Sequence, residues 1–212
     1  MNKKLKVIGL TGGIGTGKST AAEYLVSKGM AHVDADKISH SLTADGSPML
    51  RLLDEVFGPE GMMGAKGTAI LNPDGSLDRK ALASLVFTDA ERKKKLDEMM
   101  FCEIIREIDR QITDIQNICR ASAILLDAPL LFEAGLESKC DEVLLLVADM
   151  DIRIARVCAR DKATPEEVGN RIKNQMSDQD KISRADAVID NSGTQVELYE
   201  KLENYLKNTK II

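Results

Sequence analysis

A glycine-rich segment near the start of the chain has the residue types and spacing needed to bind phosphate. The residues from Gly12 to Ser19 read GGIGTGKS and fit the pattern GxxxxGK[ST] at every fixed position. In this pattern the glycines let successive backbone N–H groups turn inward around a phosphate, which the positive end of the next helix also attracts. Lys18 would then reach the β- and γ-phosphates of ATP, and the Ser19 hydroxyl would be a ligand of Mg²⁺. The residues predicted to contact the nucleotide are Gly13, Ile14, Gly15, Thr16, Gly17, Lys18, Ser19 and Thr20.

Two acidic segments follow apolar runs and would lie at the same edge of a parallel sheet as this loop. Asp127 ends the run AILLD and resembles an aspartate that holds Mg²⁺ through water, but the next residue is Ala128 rather than the glutamate typical of water-activating ATPases. The chain also lacks the NKxD motif of guanine-specific proteins. Both absences favour a kinase, which needs a carboxylate near the acceptor hydroxyl, and Asp34 and Asp36 are the candidates. The alternative for either aspartate is to cap a helix that starts near Lys37.

Arginines cluster on both sides of the sequence TPEE, which runs from Thr164 to Glu167. This sequence is a capping box with proline at the first helical position, so a new helix begins sharply there. We interpret the two flanking helices as a lid whose arginines contact the phosphates and exclude water. Arg160 and Arg171 are the predicted contacts, and Arg160 would join Lys18 in stabilising the transferred group. The alternative is a surface hairpin whose arginines pair with carboxylates such as Asp161.

The elements that must position these residues can be read from the apolar pattern. Five short runs of Val, Ile and Leu are continuous rather than alternating, as expected of parallel strands covered on both faces. Helical segments lie between them, and this alternation indicates a three-layer α/β/α fold with a five-stranded parallel sheet. The predicted strands are 6–10, 31–34, 123–127, 142–147 and 187–190, and the predicted helices are 18–28, 79–119, 150–160, 165–176 and 194–207.

The interval between the second and third strands is much longer than one crossover helix needs. It contains a Gly- and Pro-rich stretch followed by a long charged helical tract. We interpret residues 41–119 as a helical insertion that binds the acceptor, because long insertions in compact domains are usually functional. The alternative is a helical hairpin without such a role. Residues 1–40 and 120–212 would form the nucleotide-binding core, with the lid at about 150–175 inside it.

Composition limits the partners that the chain can have. The net charge of −5 and the isoelectric point near 5.2 argue against non-specific nucleic-acid binding. The cysteines form no CxxC pair, which argues against a zinc site and for reduced thiols. The first apolar run ends at Thr11 and is too short for a signal peptide or a membrane span. We therefore expect a cytoplasmic protein without nucleic-acid or membrane partners, as a monomer or weak homo-oligomer.

The order of these motifs resembles that of the dephospho-CoA kinase family. The loop is generic to nucleotide-binding proteins, whereas the DAD and PLLFE segments are more particular to this family. The similarity extends over essentially the whole chain. The segments that carry it are GLTGGIGTGKST at 9–20, DADKI at 34–38, LDR at 77–79, LVF at 85–87, PLLFE at 129–133, Arg160-Asp161, Arg171-Ile172, Gln175 and VIDN at 188–191.

The resemblance implies a fold like that of the nucleoside-monophosphate kinases, with a CoA-binding helical insertion and a lid. It implies phosphorylation of the ribose 3′-hydroxyl of dephospho-CoA by ATP with Mg²⁺. It also implies that Asp36 is the base, that Asn191 lies at the nucleotide, and that Ser19 and Asp127 hold the metal. The residues to which it assigns substrate contacts are Asp36, His40, Arg79, Pro129, Leu130 and Phe132.

Two positions depart from the family pattern, and both lie on the substrate side. His40 stands where arginine is common, and Phe101-Cys102 stand where the long helix of the insertion usually has His-Pro. Two alternatives therefore stay open: a kinase with another small-molecule acceptor, and a non-catalytic nucleotide-binding protein. The intact loop and strand-end aspartates argue against the second.

Overall fold

The sheet is the part of the fold that positions the strand-end residues. The structure, a computed structural model, describes residues 4–118 and 120–211. Its strands are β1 Val7–Gly12, β2 Ala31–Asp34, β3 Ile124–Asp127, β4 Glu142–Val147 and β5 Ala187–Asp190. All pairings are parallel, and the order across the sheet is β2-β3-β1-β4-β5. Every residue of β1 and β3 is buried, which explains their continuous apolar sequences. The prediction of a five-stranded parallel sheet is confirmed.

Helices connect successive strands. In the described residues they are α1 Lys18–Ser27, α2 Ala35–Leu42, α3 Pro48–Phe57, α4 Arg79–Phe87, α5 Ala90–Ile118, α6 Met150–Asp161, α7 Pro165–Lys173, α8 Asp178–Arg184 and α9 Gln195–Asn208, with a 3₁₀ helix at Leu136–Lys139. Over this same part of the chain, no helix combines the length and the apolar character that crossing a bilayer requires.

The main core lies on one face of the sheet. Leu25 of α1 and Leu202 of α9 are fully buried in one apolar cluster with Ile8 of β1 and Leu144 of β4. On the opposite face, Gly9 lies so close to Cys140 that an added Cβ would be 2.7 Å from the sulfur. Layers on both faces are therefore what fix the strand ends in place.

The chain divides into two compact units. One unit consists of the chain up to Asp34 together with the chain from Gln111 onward, and it contains the whole sheet; the other is Ala35–Arg110. The sequence predicted divisions after residues 40 and 119, whereas the structure divides directly after β2 and within α5. The difference arises because α2 begins where β2 ends and α5 continues through the boundary as one helix.

The unit Ala35–Arg110 has an apolar core of its own. Helix α3 begins at a Ser47 cap, whose side chain accepts from the N–H of Met49, and α4 begins at an Asp78 cap. Between them, an isolated bridge joins Leu71 to Leu77 and closes the Pro- and Gly-containing turn. The buried residues of this core are Met49, Leu50, Leu53, Phe57, Ile70, Leu82, Leu85 and Val86.

The helix predictions were partly wrong. The structure interrupts the predicted tract 79–119 at Thr88 and Asp89, because Asp89 Oδ1 accepts from the N–H groups of Glu91 (2.9 Å) and Arg92 (3.1 Å) and so caps a new helix. Helices α3 and α8 were not predicted, and α7 ends at Lys173 rather than at 176. Cys119, the last residue of the predicted tract, lies outside the described residues.

The described cysteines Cys102, Cys140 and Cys158 are free thiols. Burial raises the pKa of Cys140 to about 12, since removal from water disfavours the thiolate. This thiol therefore fills space beside β1, where burial favours its protonated form.

Candidate active site

The phosphate-binding loop connects β1 to α1 and turns tightly at two glycines. Gly15 (φ 82°) and Gly17 (φ 87°) have left-handed backbone conformations that other residues rarely adopt. Between them, Thr16 is 1% exposed, and its hydroxyl and backbone N–H both donate to the Gly13 carbonyl (2.8 and 3.2 Å). The loop is therefore closed by its own hydrogen bonds, and Lys18 and Ser19 begin the following helix.

Two residues from the chain after β4 hold the backbone of Ile14 in this loop. Arg153 of α6 is 2% exposed; its Nε donates to the Ile14 carbonyl (2.9 Å) and its Nη1 pairs with Asp178 (2.7 Å). The side-chain carbonyl of Gln175 accepts from the Ile14 N–H (3.0 Å). Residues outside the loop therefore bind both the carbonyl and the N–H group of Ile14. A Cβ on Gly13 would lie 2.3 Å from the Arg153 guanidinium, so this approach requires glycine.

Arg153 was not among the predicted site residues, and Gln175 was part of the family resemblance only. A signal was available for Arg153. It lies four residues before Val157 on α6, and these two are the buried residues of that helix. An arginine on the apolar face of a helix is rarely buried unless it is paired, so its position alone indicates a bound partner.

Asn191 is a third residue, after Arg153 and Gln175, that binds the backbone of the loop from outside it. It follows β5, is 5% exposed, and its side-chain amide donates to the Thr16 carbonyl (2.8 Å). The backbone carbonyl of Asn191 in turn accepts from Arg156 Nη1 (2.9 Å). Asn191 was predicted to contact the nucleotide, and the contact that the structure describes is with the loop backbone.

A cluster of three donors lies at the carboxyl ends of β2 and β3. The register places Asp34 opposite Asp127, and His32 lies two residues before Asp34 on the same face of β2. Asp127 is 5% exposed; its Oδ1 is 2.5 Å from Lys18 Nζ and its Oδ2 is 3.3 Å from His32 Nε2. One donor atom from each of His32, Asp34 and Asp127 lies within 4.8 Å of the others. This donor set fits a divalent cation, and the structure thus brings the predicted Lys18, Asp34 and Asp127 together.

His32 was not predicted, because it was taken as part of an apolar run. The signal that would have found it is the period of a strand. Side chains alternate between faces, so a polar residue two positions before a strand-end aspartate must share its face.

Three other predicted residues belong to the unit Ala35–Arg110. Asp36 lies in the first turn of α2, and His40 is exposed in the last turn of the same helix. Arg79 Nη2 donates to the Thr43 carbonyl and hydroxyl, both at 3.1 Å. Arg79 thus ties α4 to the segment after α2, and its predicted contact with the acceptor stays a prediction.

The segment after β3 contains the remaining predicted substrate contacts. Pro129 offers its carbonyl to the Thr11 hydroxyl (3.2 Å), and the Leu130 side chain is 50% exposed. Phe132 is only 3% exposed and lies beneath the Arg184 guanidinium, 4.7 Å from the ring centre. Phe132 therefore packs under Arg184, and the predicted substrate contacts of Pro129, Leu130 and Phe132 stay predictions.

The predicted capping box between α6 and α7 is present. Thr164 Oγ1 accepts from the Glu167 N–H (3.3 Å), and Glu167 accepts from the Thr164 N–H (2.8 Å). Arg160 makes two bonds to the Asp161 carboxylate (2.7 and 3.0 Å), and Arg171 adds a third (3.1 Å). The hydrogen bonds from Arg160 are the main reason that the pKa of Asp161 lies below its usual value. Both arginines are exposed and pair with Asp161. The sequence had suggested this pairing as the alternative to phosphate binding.

The link between α7 and α8 anchors this helical region to the core. The Met176 N–H donates to Glu133 Oε1 (3.1 Å), and the same oxygen forms an ion pair with the fully buried Lys181 ammonium at 3.2 Å. Gln175 also binds Ile14, and Asp178 binds Arg153. These contacts together hold the start of α8 against the phosphate loop and the segment that follows β3.

A glycine-turned loop between β1 and α1, with its lysine on a strand-end aspartate of the neighbouring β3, defines the class of P-loop kinase-like α/β proteins. Comparison with known proteins gives the family. The profile of the dephospho-CoA kinase family matches residues 6–197. A dephospho-CoA kinase of Symbiobacterium thermophilum is 40% identical over 190 residues, covering 90% of this chain and 75% of that one. One of Fusobacterium nucleatum is 34% identical and covers 95% of this chain and 97% of its own.

A solved structure agrees with these sequence relatives. The dephospho-CoA kinase from Campylobacter jejuni superposes with a TM-score of 0.65 at 25% identity, covering 96% of each chain. The chain belongs to the dephospho-CoA kinase family. The family and the P-loop α/β fold that the motifs predicted are therefore confirmed.

Proposed function

We propose that the chain transfers the γ-phosphoryl group of ATP to the ribose 3′-hydroxyl of dephospho-CoA, giving CoA and ADP, the last step of coenzyme A biosynthesis. The observation that supports this most is the contact of Lys18 with Asp127 at the end of the phosphate loop, in a chain that matches the family over residues 6–197. We expect the reaction in the cytoplasm, from a monomer or weak homo-oligomer that binds neither nucleic acid nor membrane.

The loop would bind the nucleotide with inward N–H groups other than those of Ile14 and Thr16, which already have acceptors. Lys18 would move from Asp127 to the β- and γ-phosphates. This movement should cost little free energy, because the ammonium exchanges one anionic partner, the Asp127 carboxylate, for another, the phosphates. Mg²⁺, when bound, would neutralise charge on the same phosphate oxygens. Ser19 at the start of α1 and, through water, Asp127 are the residues proposed to hold it.

Asp36 is the proposed base for the acceptor hydroxyl. Its place in the first turn of α2 joins it to the unit that we propose binds dephospho-CoA. Asp34, which ends β2, is the alternative. Positioning and charge neutralisation would supply most of the rate, because a phosphoryl transfer leaves little covalent chemistry for the protein.

Arg160 and Arg171 are proposed to leave Asp161 for the phosphates when the lid closes. Their exposure supports this, since exposed ion pairs contribute little free energy and are easily exchanged. Closure would also exclude water that competes with the acceptor.

The test of the reaction is incubation with ATP, Mg²⁺ and dephospho-CoA, followed by mass analysis. We expect a product one phosphate heavier, with adenosine as a poor acceptor. The pantetheine and pyrophosphate groups of dephospho-CoA supply remote binding energy that adenosine lacks. A protein that ignores dephospho-CoA but phosphorylates a nucleoside or nucleotide would contradict the assignment and leave a kinase with another acceptor.

That second candidate is favoured by one observation only. Phe101 and Cys102, which depart from the family pattern, lie exposed on α5, where they could change the acceptor surface. The same panel of acceptors separates the two candidates. Asp36→Asn should abolish transfer with ATP affinity nearly unchanged, and Asp34→Asn should have a smaller effect. Reversed severities would move the base role to Asp34.

A further inference from the structure

The donor cluster at the ends of β2 and β3 contains a nitrogen ligand that the proposed phosphoryl transfer does not use. His32 and Asp34 alternate with Val33 along β2, so both side chains lie on one face of that strand. Parallel pairing then sets Asp34 directly opposite Asp127 on β3. The His32 ring reaches the same carboxylate, with Nε2 3.3 Å from Asp127 Oδ2.

The spacing of these atoms is close to that of a filled metal site. Zinc-type ions lie about 2.0–2.2 Å from imidazole nitrogen and carboxylate oxygen, so neighbouring ligands of one tetrahedral ion are about 3.3–3.6 Å apart. The three donor atoms here lie within 4.8 Å of one another. Side-chain movements of about 1 Å would therefore be enough to enclose an ion.

The donor types decide which ion is favoured. Mg²⁺ prefers oxygen ligands and keeps several of its waters, whereas imidazole favours the later first-row transition ions. A neutral imidazole with two carboxylates also balances the charge of one divalent ion. We propose that His32, Asp34 and Asp127 coordinate a divalent transition-metal ion directly, and that His32 makes this site prefer such an ion over Mg²⁺. The inference rests on β2 and β3 and does not depend on the acceptor.

The ammonium group of Lys18 affects how tightly this site can bind a metal ion. Its ammonium holds Asp127 Oδ1 at 2.5 Å, whereas His32 lies at Oδ2. An ion would bind on the Oδ2 side and would be repelled by the ammonium. Removing the ammonium should therefore tighten metal binding to the nucleotide-free protein.

The test uses Co²⁺ as the probe with the nucleotide-free full chain, read by visible absorption and by equilibrium dialysis, with Mg²⁺ as competitor. His32→Gln keeps a hydrogen-bond donor for Asp127 but is a poor metal ligand. The chain has one other histidine, His40, so His40→Gln is the matched control. We expect His32→Gln to weaken Co²⁺ binding by about 10- to 100-fold and Mg²⁺ binding by less than about threefold. We expect His40→Gln to change neither and Lys18→Ala to strengthen Co²⁺ binding.

A second measurement, on the wild-type protein, tests the proposal if His32→Gln does not fold. With two histidines in the chain, Zn²⁺ added to the wild-type protein should shift the ring-proton NMR signals of His32 and leave those of His40 unchanged. The proposal is overturned if His32→Gln binds Co²⁺ as tightly as wild type, or if it loses Co²⁺ and Mg²⁺ by the same factor, since His32 then only orients Asp127. Unshifted His32 signals at saturating Zn²⁺ would overturn it as well.

Discussion

The phosphate loop and two arginine side chains of the α6–α7 hairpin are both predicted phosphate contacts, but they are held in opposite ways. The loop is bound by Arg153, Gln175 and Asn191, which reach its backbone from three other parts of the chain. Arg160 and Arg171 of the hairpin are exposed and bind the side chain of Asp161. Buried hydrogen bonds are expensive to break, and exposed ion pairs are not. The difference indicates that the loop is preorganised for phosphate and that the arginines are free to be redirected.

The largest expected effect comes from Lys18→Ala, which removes the charge that the loop presents to the γ-phosphate. We expect turnover to fall by about 10²- to 10³-fold, equivalent to about 3–4 kcal/mol of transition-state stabilisation. The Lys18 side chain is 16% exposed and pairs with the buried Asp127, so we also expect a lower melting temperature, and turnover is compared at a temperature where both proteins are folded. Steady-state kinetics beside thermal melts test this, and turnover within about threefold of wild type would disprove the role of the loop.

A smaller effect is expected for Gln175→Leu, which tests whether the loop is held from outside. The substitution leaves the Ile14 N–H without its acceptor, at a cost of about 1 kcal/mol. We expect the KM for ATP to rise about fivefold with kcat less affected, because the loop would lose its preset shape. Gln179→Leu, an exposed glutamine on α8, is the matched control and should behave as wild type. Equal kinetics for the two variants would mean that Gln175 does not position the loop.

The strands and the loop could be predicted from the sequence, and their partners could not. Parallel strands are buried on both faces, so each appears as one apolar run, and the loop is a local pattern of glycines. Arg153 and Gln175 lie 139 and 161 residues from Ile14, and no local pattern reports such a contact. Helix α8 has seven residues, mostly polar, which is too short for a periodic signal.

Two other differences between the predicted and the observed helices could have been found from local sequence patterns. Ser47 followed by Pro48 is a typical start of a helix, and it begins α3. Asp89 caps α5, where the sequence alone suggested a continuous tract. The arginines of the hairpin are a different case, because their predicted phosphate contacts depend on a nucleotide-bound state. The pairing with Asp161 is a property of the nucleotide-free chain.

The smallest expected effect concerns this pairing. Asp161→Asn releases both arginines, so we expect the KM for ATP to fall by less than about fivefold, whereas Arg160→Ala should slow transfer. Asp151→Asn, at an exposed carboxylate of α6, is the control. Because Arg160 lowers the pKa of Asp161, the pairing is present above the usual carboxyl pKa and is lost as pH falls through the lowered value. A lower kcat/KM for ATP in both Asp161→Asn and Arg160→Ala would argue against competition between carboxylate and phosphate.

Residue-resolved amide hydrogen exchange, with and without a non-hydrolysable ATP analogue, tests the contrast between the loop and the hairpin most directly. We predict that the Ile14 amide, bound to Gln175, exchanges slowly before nucleotide is added and changes little afterwards. Amides from about 155 to 171 should exchange faster at first and slow when the analogue binds. Fast exchange at Ile14 that slows only with the analogue, together with an unchanged hairpin, would contradict a fixed loop and a movable lid.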